Sequence, residues 1–236
     1  NHLPQSLHFN EFYKKAKNVL LPQAGYHYLY RVNCGGGEYR DSNRNRWLAD
    51  RQRSTKKTWG SSSWSGAFEG MHPFFASQRS ITDPVSGTKD WGLFQQFRYG
   101  REKLRYDFPV QDGEYLVELY FTEPWIGRGG GLKATGWRLF DVAVNEQTVL
   151  KDVDIWKEAG YAGALKKSVK VIVTGGLLTV SFPRTASGQA LISAIAIATL
   201  DKTKRPAPSE EALLKIHSSQ ADAVEIKDWL RTGEAI

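Results

Sequence analysis

The chain has one cysteine, Cys34, among 236 residues, so no internal disulfide can form and cysteine usage argues neither for nor against export. It has no Asn-x-Ser/Thr sequon, no run of 18 apolar residues and no signal-peptide pattern behind Asn1, which excludes a helical membrane span from the segment at hand. A start without Met in mid-sequence style fits an internal piece of an exported protein. Nucleophilic and metal chemistry also lack their signatures. There is no GxSxG elbow and no zinc spacing, and the five histidines, His2, His8, His27, His72 and His217, are scattered. No cofactor and no metal site are therefore expected. Cys34-Gly-Gly-Gly37 has neither the Lys-Ser/Thr of a P-loop nor GxGxxG spacing, and no amphipathic helix follows it. The glycines read instead as a turn with positive φ and close backbone approach at a strand end, with Asn33 and Asp41 bonding nearby backbone.

Methionine is as scarce as cysteine, with one residue against eight tryptophans. Helical cores lean on Leu, Met and Ala, whereas aromatic and β-branched residues suit pleated surfaces and binding platforms. With 41% apolar and 24% charged residues the chain is that of a folded domain, long enough for a full-sized core. The formal net charge of +7 is spread along the sequence, a diffuse field that favours acidic partners only weakly. Nucleic acid would want a basic groove beside aromatics, but no RNP or OB-type pattern is present.

Helical spacing of Phe9, Phe12, Tyr13, Ala16, Val19 and Leu20, ended by Pro22, predicts a helical entry segment within residues 1–25. From Tyr26 the period becomes two. Strands are expected at 26–33, 92–99, 103–110, 114–122, 137–144, 167–173, 176–182 and 190–199. Asp112-Gly113 and Gly175-Gly176 fall between alternating runs and read as hairpin turns. Short strands without intervening helices predict an all-β fold, a jelly-roll-like β-sandwich of two antiparallel sheets over 26–200 with short helical appendages at both ends. Residues 201–236 read as a linker and the start of a following module. Long Ser/Gly/Trp-rich excursions at 52–91 and 127–136 have the character of functional loops.

Asp152 and Asp154 would share a strand face, so a count of carboxylates leaves a glycosidase pair open, although an ion-paired structural role suits them better. Trp59, Trp64, Trp91, Tyr99 and Trp125 sit among Gly, Ser and charged residues. A flat aromatic with polar neighbours suits a sugar ring, which offers apolar C–H faces and a rim of hydroxyls.

Tyr30-Arg-Val-Asn-Cys-Gly-Gly, Trp47-Leu-Ala-Asp50, Tyr106-Asp-Phe-Pro-Val110, Gly113 to Glu123, Phe140-Asp-Val-Ala-Val-Asn145 and Lys151-Asp-Val-Asp-Ile155, in this order, resemble the motifs of the malectin domain over residues 26–199. The resemblance implies a jelly-roll-like sandwich that binds glycans without catalysis, and related bacterial domains occur within large β-galactosidase-like glycoside hydrolases. It implies a non-catalytic module of an exported polysaccharide-degrading enzyme, extracellular, periplasmic or at the cell surface, with catalytic domains of the same chain as neighbours. A spacer without ligand and an independent hydrolase are the alternatives. By the same resemblance the glycan-binding positions are Trp59, Tyr99 and Trp125, with Ile126 in place of a second loop aromatic and Ser187 near the place of an acid. Arg98 and Arg101 beside Tyr99, and Arg128 after Trp125, make an anionic sugar plausible as ligand.

Overall fold

The computed structural model describes residues 18–62, 77–101 and 104–207. The helical entry segment expected within 1–25 is described only at 18–25, where the chain forms turns and no helix; the rest of it, the appendage expected beyond residue 207 and Trp64 lie outside the described residues.

The first sheet has six strands. In spatial order they are β11 (Leu165–Val173), β8 (Gly113–Phe121), β15 (Ala194–Thr199), β1 (His27–Asn33), β3 (Arg46–Ala49) and β2 (Tyr39–Arg40). The second contains β10 (Gln147–Val153), β9 (Leu139–Val144), β12 (Leu177–Ser181), β7 (Arg105–Pro109) and β4 (Gly60–Ser62), with β13 (Thr185–Ser187) also on β9. Alternation decides what lies between them. Tyr115, Val117, Leu119 and Phe121 of β8 share one buried cluster with Tyr106 and Phe108 of β7, Phe140 and Val142 of β9, and Leu178 and Val180 of β12. This is the expected β-sandwich.

The opposite face of the first sheet is covered as well. Tyr120, Trp47, Ala194 and Ala196 pack with Leu20, Val85, Leu93 and Phe94, the last two from the short helix α1 (Trp91–Gln95). Glu118 on that buried face is satisfied by Lys166 at 2.7 Å and by the hydroxyls of Tyr28 and Tyr120. Two features go beyond a plain antiparallel pair of sheets. β1 and β3 run parallel, and β14 (Ala190–Ile192), β6 (Gln96–Gly100) and β5 (Gln78–Ser80) form a third, small sheet.

Four expectations need correction. Residues 91–95 are helical, and the strand expected at 92–99 begins only at Gln96. The run 190–199 is two strands, broken at Ser193, whose backbone bonds Cys34 and Tyr120. The Asp112-Gly113 link is not a hairpin, because β7 pairs with β12 and β4 while β8 pairs with β11 and β15. Gly175-Gly176 likewise joins β11 to β12 across the two sheets. The two crossings are tied together: the Gly176 N–H donates to Asp112 Oδ1 at 2.8 Å, and its carbonyl accepts from Val110. The tight hairpin is β9–β10, turned at Asn145 and Glu146 with φ of 48° and 67°, the positive pair that a twisted two-residue hairpin demands.

The triglycine is a strand-end turn, as its neighbours suggested. Gly35 has φ 79°, and a Cβ there would lie 2.5 Å from the Phe97 carbonyl. Its N–H donates to Asp50 Oδ2 at 2.6 Å, Asn33 donates to the Gly37 carbonyl, and Asp41 accepts from the Asn43 and Asn45 backbone and the Trp47 indole.

Candidate functional site

The end of β8 delivers the chain to Glu123, whose side chain is wholly buried. Its Oε2 accepts from Arg138 Nε at 2.5 Å, and its Oε1 accepts from Arg138 Nη2 and from the Trp125 and Ile126 N–H groups, each at 3.1 Å. One carboxylate therefore fixes the turn that carries Trp125 and Ile126 and joins it to the residue just before β9. Glycine is required just beyond: Gly127 has φ 84°, and a Cβ would meet the Trp156 indole nitrogen.

Trp125 is 40% exposed. Its ring stands edge-on to Tyr99 at 5.3 Å and to Phe97 at 5.2 Å, and the Arg138 guanidinium carbon lies 5.5 Å from its centre. The described end of the first long excursion meets the second here. Arg128 reaches Asp83 at 3.0 Å, and Asp83 also accepts from the Tyr161 hydroxyl, which burial and that carboxylate push up to about 12. Aspartate 154 caps the helix α2 (Ile155–Ala159) through the Lys157 N–H and takes the Gly136 N–H with its other oxygen, holding the far end of the loop.

Of the residues expected to touch a glycan, Tyr99, Trp125 and Ile126 are gathered at this end. Tyr99 is only 8% exposed and serves Trp125 more as a wall than as an open face. Ser187 stands nearby on β13, its hydroxyl donated to the Trp137 carbonyl at 2.9 Å. Trp59 is elsewhere. It is 6% exposed, stacks on Phe108 at 6.1 Å and carries the Arg51 guanidinium 4.3 Å from its ring. Arg98 departs from its expected role, because its side chain is fully buried with Asp50 at 2.5 Å and bonds Ser77. Burial pushes the Asp50 carboxyl up, against the opposing pull of Arg98 and the Gly35 N–H. Arg128 is occupied by Asp83, which leaves Arg79, 5.7 Å from the Tyr99 ring, as a cation beside the aromatics with no carboxylate partner among the described residues. The paired aspartates are engaged too: Asp152 binds Arg184, and Asp154 is the helix cap.

Sequence reasoning missed Glu123, Arg138 and Trp137. The first two are charges 15 residues apart whose pairing only the fold reveals. Trp137 carried a readable signal, an aromatic closing a glycine-rich loop immediately before a strand. A cleft of about 640 Å³ lies at the other end of β8, between Gly113, Tyr115, Lys170, Leu200 and Lys204, away from these aromatics. Among the described residues no helix is long and apolar enough to cross a membrane.

The malectin-domain family model matches residues 28–203. The chain belongs to the malectin family. It is 31% identical to Malectin-B of Xenopus laevis over 108 residues, 44% of this chain and 37% of that protein. It is 30% identical to Receptor-like protein 4 of Arabidopsis thaliana over 71% of this chain and 26% of that one. The matched region is thus between about a quarter and two fifths of these relatives' length. Among solved structures, a Bacteroides uniformis β-glucuronidase superposes with a TM-score of 0.58 at 23% identity, covering 71% of this chain and 18% of that one. The ANXUR2 extracellular domain from Arabidopsis thaliana gives 0.54 at 17% identity over 78% and 52%. At such identities these two likenesses speak for the fold.

Proposed function

We propose that this malectin domain is a non-catalytic carbohydrate-binding module of a larger polysaccharide-degrading enzyme, holding an oligosaccharide against Trp125. The observation that carries this is the half-open indole of Trp125, walled by Tyr99 and Phe97 and locked by the buried Glu123–Arg138 pair. A sugar ring stacks on such a preorganised aromatic at little entropic cost. The fold's occurrence as one part of a much longer β-glucuronidase supports a glycoside hydrolase as parent, and with it an exported location. Engagement of Asp152 by Arg184 and of Asp154 by the α2 backbone argues against a hydrolytic pair. Arg79 near Tyr99 favours acidic sugars among the ligands, and salt-weakened binding would mark them.

A second reading, a structural spacer, is favoured by the burial of Trp59 and Tyr99, which leaves Trp125 as the exposed member of the expected three. A glycan array followed by affinity electrophoresis on the intact chain separates the readings. The module reading expects retention without release of product, and a loss of about 1–3 kcal/mol in Trp125→Ala by analogy with base stacking. No retention on any glycan selects the spacer, and product release selects a hydrolase.

A further inference from the structure

Three of the six large apolar side chains exposed among the described residues, Trp125, Leu132 and Trp137, lie in the one loop that joins β8 to β9. Exposed apolar groups scattered singly need no explanation, whereas a concentration in one loop marks a contact surface. Trp137 is the more exposed of the two indoles, at 53%. Its backbone is nonetheless held from several sides. Its N–H donates to the Ala134 carbonyl at 3.2 Å, its carbonyl accepts the Ser187 hydroxyl at 2.9 Å, and the preceding Gly136 N–H is bound by Asp154 at 2.7 Å. The backbone is thus fixed while the ring stays open, the condition under which an aromatic contact costs little ordering entropy.

We propose that Trp137 is a second stacking platform of the same site, and that the ligand is an extended oligosaccharide lying across both indoles. The inference rests on the carbohydrate-binding reading given above. The residue next to Trp137 is Arg138, whose guanidinium carbon approaches the Trp125 ring to 5.5 Å, so the backbone that carries Trp137 lies within an arginine side chain's reach of Trp125. Two separate exposed indoles on one loop suit successive rings of a chain rather than a single sugar. Ser187 acquires a role in the same arrangement. Its hydroxyl donates to the Trp137 carbonyl and so helps to hold the backbone that carries the second platform.

The test is calorimetric titration of the intact chain with cello-, laminari-, manno- and β-1,4-galacto-oligosaccharides of two to six residues. Wild-type affinity is expected to climb with length for the ladder that binds. Trp125→Ala should weaken every length. Trp137→Ala should lose about 5- to 150-fold on the longest member and less than about 2-fold on the disaccharide, flattening the length dependence. Trp137→Phe should recover most of the loss, and circular dichroism checks that each variant folds. Trp137→Ala tracking wild type at every length, with Trp125→Ala impaired, overturns the second platform and leaves the binding module standing. Wild-type protein that binds none of these four neutral ladders, nor an oligogalacturonate ladder of the same lengths titrated beside them, removes the first reading and the second with it.

Discussion

Replacing Glu123 by Ala is the perturbation that bears most directly on how the site is held. The carboxylate is 0% exposed and accepts four hydrogen bonds, two from Arg138 and two from the Trp125 and Ile126 amides. Removing one partner of a buried ion pair costs about 3–5 kcal/mol, because the other charge stays desolvated and unpaired. The two freed amides add to this by less than their full ~1–3 kcal/mol each, since the loop beside half-exposed Trp125 admits water. A loss of about 4 kcal/mol is therefore expected, a large fraction of the ~5–15 kcal/mol typical of a domain. With an m-value near 2 kcal/mol/M in urea, the midpoint should fall by about 2 M. Tryptophan fluorescence reports the transition, there being eight such residues. The double variant Glu123→Leu with Arg138→Met removes both charges and should recover much of the loss, giving a favourable coupling in the cycle. A single-variant cost below about 1 kcal/mol, or a double variant as unstable as the sum of the singles, would refute the claim that the pair is buried and coupled.

Other outcomes follow from groups away from the aromatics. Burial raises the Asp107 carboxyl, but hydrogen bonds from Arg105 and Thr179 and the charges of Arg105 and Arg53 outweigh it and hold the group below the ordinary carboxylate range. Its stabilisation is thus present above about pH 4 and lost as pH falls through the folded value. The stability gap between wild type and Asp107→Asn, measured by urea titration, should be widest near neutrality and close in acid; a gap that persists unchanged to pH 2 would show that the charge contributes nothing. Gly35→Ala should destabilise by at least about 2 kcal/mol, since φ is 79° and the Phe97 carbonyl blocks the new methyl, whereas Gly37→Ala, in open space, should stay within about 0.5 kcal/mol. Comparable thermal shifts for the two would contradict the assigned turn. Cys34 is buried, and burial pushes its thiol well up, so a thiol reagent at pH 8 should label it only after unfolding; rapid labelling of native protein would count against the core position.

The fold class was legible because two-residue alternation survives wherever a strand has one face on the core. Tyr115, Val117, Leu119 and Phe121 announce themselves in this way, and they are the residues found between the sheets. Pairing was not legible. Asp112-Gly113 and Gly175-Gly176 carry the composition of hairpin turns, yet each passes from one sheet to the other, because composition encodes the reversal of a chain and not the strand it reaches. The true hairpin at Asn145-Glu146 lacks glycine and depends on Asn145, which bonds the Leu177 carbonyl and the Thr179 N–H. The malectin resemblance foresaw the family and the fold. For the site, residue type was a poor guide to exposure. Trp59 and Trp137 both follow or precede glycine in polar surroundings, and one is 6% exposed while the other is 53% exposed. What separates them is the partner across the fold, Phe108 and Arg51 for Trp59, which no local pattern contains.

Two buried arginine–carboxylate pairs flank the aromatics, and their placement says what they are for. Arg98 of β6 pairs with Asp50, which follows β3; Arg138, which precedes β9, pairs with Glu123, which follows β8. Buried ion pairs are weak contributors to net stability, since desolvation offsets most of their attraction. Their value lies in geometry, because a guanidinium fork accepts a carboxylate in few orientations. The first pair joins a strand to a loop from a distant part of the sequence, the second ties together the two ends of the β8–β9 loop, and Tyr99 is next to one arginine while Trp125 is under the other. Apolar substitutes of equal volume would fill the same space without fixing the loop's orientation. The doubly substituted Glu123→Leu, Arg138→Met protein therefore separates the two contributions. It should stay folded and yet hold Trp125 less firmly, seen as faster acrylamide quenching of that indole relative to the parent in a background where Trp137, the other tryptophan exposed among the described residues, is phenylalanine. Unchanged quenching together with unchanged glycan affinity would mean that packing on Phe97 and Tyr99 alone positions the ring.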